Sequence, residues 1–297
     1  MYSFLIRDEC PVCSSTRSNI LIDKSYGDEA ILSFLNSYYK NRIKYEVIKD
    51  SRYVILECKN CRTFYQKYIF NEKGMNSLYE EYIDPLKSLK KKESSSFQYF
   101  QSLIKDSSKA SLLCEKIFKN PPRKIKVLDF GMGWGNWLLA AKACGLKVYG
   151  TELSQPRISF AQKNGLEIID PFTDVYNNFF HFINADQVFE HLAEPKIVLN
   201  ELSRKLKKNG IIKISVPNPR GSIFRLKYFK KNWRPSKGAI QPLEHINAFS
   251  YKSLCNLSNN CNLKPMKPSL VENNLHETIR SKIKLSLNIP MWYFQKK

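Results

Sequence analysis

A chain of 297 residues is too long for one minimal module, and with 43% hydrophobic and 25% charged residues it can fill a core, which excludes wholesale disorder. No run of about eighteen apolar residues occurs, and the start Met1 to Asp8 is too short and too charged for a signal peptide, so a cytoplasmic protein without a transmembrane segment is expected. The net charge of +21 fits a nucleic acid, a phosphorylated substrate or an anionic surface as partner, and fits equally the lysine-rich bias of an AT-rich coding sequence.

The first stretch carries Cys10-Pro11-Val12-Cys13, a strand-like Tyr53 to Glu57, and Cys58-Lys59-Asn60-Cys61. Four thiolates in two Cys-x-x-Cys pairs are enough for a closed tetrahedral zinc site, whose role would be to staple a small coreless module; redox use of either pair is the alternative. Ser14 and Arg62 stand where a glycine often follows each knuckle. The module is expected over residues 1–86, and the polar stretch Lys87 to Ser96 after Pro85 reads as a linker. Cys114, Cys144, Cys255 and Cys261 fall in helix-like segments and are expected as core thiols rather than disulfides.

Apolar spacing predicts a helix over Phe97 to Phe118, stopped by Pro121-Pro122. Alternation follows: strand Ile125 to Phe130, helix Asn136 to Cys144, strand Leu146 to Gly150, helix Gln155 to Lys163, and strand Leu166 to Ile169. Strand Phe180 to Asn184, helix Glu194 to Leu206 and strand Gly210 to Val216 complete the series. Such alternation implies an α/β fold with a parallel, doubly wound sheet, placed here in a second domain over residues 97–297. The pattern loosens over residues 218–249, read as a substrate lid with a short helix near Ile223 to Phe229, before a helix from Ser250 to Asn259.

Lys126 to Gly135 is an apolar strand that runs into Gly131-Met132-Gly133-Trp134-Gly135 and then into a helix. Glycines there allow a sharp turn and close approach of a ligand. A nicotinamide dinucleotide site would need a third glycine at the position of Asn136, so the spacing argues against a pyrophosphate ligand. Next, strand Lys147 to Thr151 ends in Glu152, a carboxylate able to accept hydrogen bonds from two ribose hydroxyls.

Gly-x-Gly-x-Gly with Asp129 ahead of it resembles the first motif of class I S-adenosylmethionine-dependent methyltransferases, whose Rossmann-like fold carries that cofactor at this loop. The resemblance implies that Gly131, Gly133 and Gly135 cradle the amino acid end of the cofactor, that Asp129 helps to hold its ammonium, and that Glu152 binds its ribose. It sets Asp170 near the adenine. Asn184 to Pro195, with Glu190-His191-Leu192-Ala193-Glu194-Pro195, resembles the family's segment after the fourth strand, and Gly210 to Asn218 its fifth strand, so the likeness covers about Lys124 to Phe249. His181 stands where many relatives carry an acid.

Methyl transfer to a hydroxyl needs a proton acceptor, and the chain has only 4 histidines: His181, His191, His245 and His276. Glu244-His245-Ile246-Asn247-Ala248-Phe249-Ser250 resembles a segment of glycan and small-molecule methyltransferases that faces the acceptor, so His191 and His245 are the catalytic candidates. Glu190 and Glu244 are read as orienting partners or magnesium ligands. The bland reading of either histidine is a hydrogen-bonded structural residue.

Leu202 to Lys237 holds Arg204, Lys205, Lys207, Lys208, Arg220, Arg225, Lys230, Lys231 and Arg234 with no Asp or Glu, which suits a phosphate-bearing acceptor or a solvated face. Trp233 and Tyr228 could stack on a base or a sugar, or pack the lid itself. Knuckles followed by Phe64-Tyr65 and Leu78 to Tyr82 resemble the N-terminal region of bacterial methyltransferases acting on sugars or secondary metabolites. The resemblance therefore implies O- or C-methylation of a sugar, nucleotide-sugar or other small acceptor, in surface polysaccharide biosynthesis. Two other readings stand beside it: an RNA methyltransferase using the basic surface and the zinc module, and a non-catalytic scaffold.

Overall fold

The computed structural model describes residues 4–83, 97–228, 233–266 and 291–297. The expected linker Lys87 to Ser96, the basic residues Lys230 and Lys231, and His276 lie outside the described residues. The N-terminal elements are β1 (Phe4–Ile6), β2 (Ser18–Ser25), α1 (Glu29–Tyr38), α2 (Tyr45–Ile48), β3 (Arg52–Cys58), β4 (Phe64–Gln66), β5 (Tyr68–Phe70) and α3 (Glu72–Ser77), which runs into a π-helical turn at Leu78–Tyr82. There follow α4 (Phe97–Phe118), β6 (Lys126–Phe130), α5 (Asn136–Ala143), β7 (Lys147–Thr151), α6 (Gln155–Lys163) and β8 (Phe180–Asp186). The last elements are α7 (Pro195–Lys205), β9 (Leu206–Ser215), α8 (Arg220–Tyr228), β10 (Asn247–Ala248), α9 (Tyr251–Asn259), β11 (Leu263–Pro265) and β12 (Met291–Lys296). Among the described residues no helix is long and apolar enough to cross a membrane.

The chain divides into two compact units, and they are not the two contiguous domains expected from the sequence. The first takes the N-terminal stretch up to 83 together with Phe189–Lys196 and Val216–Leu257. Backbone pairing explains why the stretch expected as a lid of the second domain belongs here: β10 runs antiparallel to β4, which pairs with β3, which pairs with β2. The Tyr53 hydroxyl donates to the Ile240 carbonyl, and its ring stacks on Trp233 at 5.6 Å. Arg7, itself buried, donates to the carbonyls of Gln66 and Ile246 and to Asn247 Oδ1, and so ties β4 to β10.

This unit is not coreless, which corrects the expectation for the cysteine module. Asp28 caps α1 by accepting from the Ala30 and Ile31 amides, and the helix turns Ile31 and Leu35, one turn apart, inward. They join Tyr26, Tyr53 and Phe70 from the N-terminal stretch and Leu226, Trp233, Ile240 and Leu243 from the later one. Full burial of each aliphatic side chain contributes roughly 1.5–3 kcal/mol.

The second unit holds a six-stranded sheet in the order β11-β12-β9-β8-β6-β7. The strands β9, β8, β6 and β7 are parallel, as the βαβ alternation demands, and β12 and β11 add antiparallel to the β9 edge. The sheet is therefore mixed rather than wholly parallel. Val127, Phe182 and Ile211 from the strands pack with Leu113 and Cys114 of α4 and Trp137, Leu138 and Ala141 of α5. Buried Lys213 pairs with Asp106 of α4, which also accepts from Trp137 Nε1 at 2.9 Å.

The strand expected over Leu166 to Ile169 shrinks to a single bridge between Ile168 and Gly150. Pro171 has no amide hydrogen to extend a ladder, and a turn closed by the Asp170 and Asp174 carboxylates takes the chain away. β9 starts at Leu206, earlier than expected, and α8 covers the expected short helix. None of the 8 cysteines is in a disulfide, with Cys114 and Cys261 buried and Cys144 and Cys255 half-buried.

Candidate functional site

In the second unit the site grows from the C-terminal ends of parallel strands β6 and β7, the edge where open α/β sheets bind ligands. β6 leads into Gly131, Gly133 and Gly135, all with positive φ, and Gly135 is the left-handed residue that opens α5. A β-carbon at Gly131 would stand 2.6 Å from Val188 Cγ2, and one at Gly135 would stand 2.6 Å from Leu166 Cδ1. Both positions combine a conformation hostile to side chains with no room for one. The Met132 amide donates to the Thr151 carbonyl at 2.9 Å, which pins the loop to the end of β7.

Asp129 is buried and accepts a 2.7 Å hydrogen bond from Asn184 Nδ2 on β8. Burial pushes its carboxyl up to about 7; Asp186 and Asp106 push it further, while the Asn184 hydrogen bond and Lys213 oppose the rise. Asn184 Oδ1 is itself buried without a hydrogen-bond partner. These two acceptors suit the donors of a cationic amino group, and such a cation would favour the ionised form of Asp129.

A pH dependence follows. An ammonium-bearing cofactor should bind about tenfold more weakly near pH 6 than near pH 8, because the carboxylate it needs is lost as pH falls through the Asp129 pKa. Calorimetric titration of the parent and of Asp129→Asn checks this, since the variant should bind weakly and with little slope. The raised pKa also means that the folded state holds a proton the unfolded chain releases, so this group's contribution to stability shrinks as pH rises toward 7.

Glu152 follows β7 as expected, but its Oε1 is already engaged, accepting from the Leu153 and Ser154 amides at 2.9 and 3.1 Å. Oε2 accepts from Arg157 Nη1 at 3.5 Å, so one oxygen braces the turn and the other is paired with a guanidinium. Asp170 is exposed and its Oδ1 accepts from the Phe172 amide, a local turn bond rather than a ligand contact. His181 is buried and its Nδ1 accepts from the Lys126 amide at 3.0 Å; burial lowers its pKa to about 4. That is a structural histidine.

The histidine candidates lie in the first unit, where the fold brings residues 54 positions apart in sequence into ring contact. His191 and His245 stand 4.8 Å apart, edge to face, with Tyr79 of the π-helical turn edge-on to His191 at 5.9 Å. His191 Nδ1 meets the Glu244 carbonyl at 2.8 Å, and His245 Nδ1 meets the Gly238 carbonyl. A carbonyl oxygen only accepts, so each Nδ1 carries the hydrogen and each Nε2 bears a lone pair. Burial lowers both imidazoles, with His191 at about 3, and so keeps them neutral. Buried Glu190 places Oε1 4.0 Å from His191 Nε2.

The turn that delivers His245 is strained. Leu243 is buried with φ of 68°, a left-handed conformation unusual for a leucine. Gln66 Nε2 on β4 donates to the Gln241 and His245 carbonyls at 2.9 and 3.0 Å and holds the turn down. Burial raises the Glu244 carboxyl, while hydrogen bonds from Tyr38, Gln241 and Tyr39 oppose the rise.

Cys10, Cys13, Cys58 and Cys61 converge, with their sulfurs within 4.8 Å of one another. Cys10 and Cys61 sulfurs are 3.5 Å apart and those of Cys13 and Cys58 are 3.6 Å apart. Tetrahedral zinc with 2.3 Å bonds separates thiolates by about 3.8 Å, so the four fit that ion. Ser14 and Arg62, which stand in the glycine positions, do adopt left-handed φ of 56° and 63° and close matching turns onto the Cys10 and Cys58 carbonyls.

Among the described residues of the basic run, several side chains are committed to partners within the fold. Lys205 is buried and donates to the Phe172 and Val175 carbonyls, Lys213 is buried against Asp106, and Arg204 pairs with Glu201. Trp233 packs on Tyr53, and Tyr228 is exposed beside Phe224. The sequence reading assigned no role to Asn184, Arg157, Tyr79, Gln66 or Gln241. Asn184 and Tyr79 lie inside segments that carried the resemblance and could have flagged them.

None of the curated protein sequences matches this chain. Solved structures that it resembles include 1,6-didemethyltoxoflavin-N1-methyltransferase from Burkholderia thailandensis, 16% identical with a TM-score of 0.43, covering 72% of this chain and 91% of that one. An S-adenosylmethionine-dependent methyltransferase from Archaeoglobus fulgidus is 18% identical with a TM-score of 0.41, covering 64% and 94%. One from Mesorhizobium loti is 13% identical with a TM-score of 0.41, covering 60% and 94%. These likenesses are distant and carry no weight for function. A family model described as a methyltransferase domain matches residues 103–267, more than half of the chain, from within α4 to just past β11. With that match spanning the glycine loop, both acids and both histidines, the chain belongs to the methyltransferase-domain family.

Proposed function

We propose that this methyltransferase takes its methyl group from S-adenosylmethionine and passes it to an oxygen or carbon of a sugar, nucleotide-sugar or other small acceptor, in surface polysaccharide biosynthesis. The observation that carries the cofactor reading is the buried Asp129-Asn184 pair beneath a loop of positive-φ glycines, with Glu152 at the end of the next strand. The bound cofactor supplies a methyl carbon on a sulfonium, whose carbon–sulfur electron pair returns to sulfur as the new bond forms. Asp129 and Asn184 hold the ammonium, Gly131 and Gly133 present backbone amides, Gly135 shapes the loop by donating its own amide to the Met132 carbonyl, and Glu152 Oε2 receives the ribose. Asp170 is kept as a contact at the adenine end, the weakest of these assignments because its carboxylate is tied into a turn.

His191 and His245 receive the acceptor. Their neutral rings and bare Nε2 atoms can accept a hydrogen bond from an acceptor hydroxyl, whose proton becomes acidic enough to leave as the methyl group arrives. Structural zinc is assigned to Cys10, Cys13, Cys58 and Cys61, and eight cysteines with no disulfide among them fit a reducing cytoplasm. The inward-turned Lys205 and Lys213 weaken the RNA reading, and family membership displaces the scaffold reading.

The test has two stages. Calorimetry should show S-adenosylmethionine and its demethylated product binding with a Kd of about 50 µM or tighter. Mass spectrometry should then find a single methyl addition on a member of a nucleotide-sugar panel, lost with His245→Gln. Absence of cofactor binding would remove the reading, and steeply salt-dependent RNA binding with methylated RNA as product would replace it.

A further inference from the structure

Glu190, His191 and His245 each offer one ligand atom, and the three atoms lie within 4.8 Å of one another inside the first unit. We propose that they form a second metal site, separate from the four cysteines, for a divalent transition-metal ion, with open positions for acceptor oxygens. The sequence sets Glu190 beside Glu244 as candidate magnesium ligands, a different donor set for a different ion, and the family match assigns no ion to this trio.

The donor set comes first in the argument. Two imidazole nitrogens and one carboxylate select ions of intermediate softness, such as manganese, iron, cobalt or zinc, over magnesium, which prefers oxygen alone. Three protein ligands also leave coordination positions open, as catalytic rather than structural sites do.

The second point is the tautomer. Ligating histidines nearly always give their other ring N–H to a carbonyl or carboxylate, which fixes the ring and raises its basicity. Both rings do this here, His191 to the Glu244 carbonyl and His245 to the Gly238 carbonyl, so two Nε2 lone pairs are left for an ion. The rings are held from outside as well: Gln66 fixes the His245 carbonyl, and Leu243 carries the strain of the turn.

The third point is spacing and burial. Glu190 Oε1 lies 4.0 Å from His191 Nε2, too far for a hydrogen bond and within about 1 Å of the roughly 3.0–3.4 Å that two ligands of one ion adopt. Glu190 is only 1% exposed, and a carboxylate so buried is stabilised by a cation held against it.

This deepens the acceptor reading and rests on it only for what fills the open positions. Ion and proton compete for the same Nε2 lone pairs. In the ion-free protein the histidines accept a hydrogen bond from the acceptor's hydroxyl. In the loaded protein they are ligands, the ion acidifies the acceptor oxygen it binds, and that proton passes to water. The class of acceptor favoured is one with adjacent hydroxyl and carbonyl oxygens, able to chelate.

The test is titration of the full-length, zinc-loaded protein with cobalt(II), followed by visible d–d absorption and by calorimetry. The expected result is uptake of one further equivalent, weakened about 10–100-fold in Glu190→Gln and in His245→Gln. Circular dichroism and cofactor affinity show whether each variant is folded. No uptake beyond the cysteine site, or uptake unchanged in both folded variants, overturns the proposal. Uptake that depends on these residues in a protein that methylates no acceptor upholds the metal site and removes the acceptor reading, so the two fail separately.

Discussion

Valine in place of Gly131 is expected to weaken S-adenosylmethionine binding about 100-fold, or roughly 2.7 kcal/mol, while the sheet stays folded. The backbone there has φ of +72°, which costs a residue with a β-carbon about 1–2 kcal/mol, and more when the side chain is branched. The new β-carbon would also stand 2.6 Å from Val188 Cγ2. Val188 is short and stiff and closely follows β8, which is held on both sides by β6 and β9, so it cannot step aside. Relief comes only if the loop moves, and the loop amides move with it. Gly131→Ala should show a smaller loss, about tenfold. Calorimetric titration against a circular dichroism control checks both, and a valine variant that binds like its parent would end the cofactor assignment.

Loss of zinc should have the other large effect. Removing the ion with a chelator, or substituting Cys58→Ser, is expected to destabilise the first unit by at least about 3 kcal/mol, a part of the roughly 10–16 kcal/mol that a zinc site can supply. Outright unfolding of the unit is not expected, because it keeps the apolar core around Tyr26, Tyr53 and Leu35. The damage should be directional. Cys58 ends β3 and Cys61 precedes β4, and β4 carries β10 and the turn of His245. Amide hydrogen exchange should therefore rise in β3, β4 and residues 241–248, and not in β6, β8 or β9. A protein that contains no zinc as purified and shows the same protection after Cys58→Ser would contradict the assignment.

The glycine loop, the strand-end positions of Asp129 and Glu152 and each separate cysteine knuckle were legible in the sequence because each depends on short-range chemistry, whereas the meeting of the two knuckles, 45 and 51 residues apart along the chain, does not. A strand that turns into a helix over Gly131 to Gly135 needs glycine at fixed spacing, and the tip of the next strand falls near Glu152 whatever the rest of the chain does. Knuckles are local too: even with Ser14 and Arg62 in the glycine positions, the turns formed. The histidines were legible as residues but not as a pair, since their meeting depends on the two-residue strand β10 finding β4, far away in the chain.

The same physics explains the errors. Leu166 to Ile169 has a strand's composition, yet only one bridge forms before Pro171 and the Asp170 turn intervene. β12 takes its place against β9 through pairing with no periodic signal strong enough to announce it. A substrate lid and a cysteine module looked like separate pieces because neither sequence shows that they share one core.

The three-stretch make-up of the first unit has a consequence for synthesis. A ribosome delivers residues up to 83 well before Val216–Leu257, a delay on the order of ten seconds at ordinary rates of translation. During that interval Tyr53, Tyr26 and Leu35 have no Trp233, Ile240 or Leu243 to cover them. An early-bound zinc ion would hold the nascent knuckles in register meanwhile, so metal starvation should show first as newly made chains captured by chaperones, before finished enzyme loses its shape.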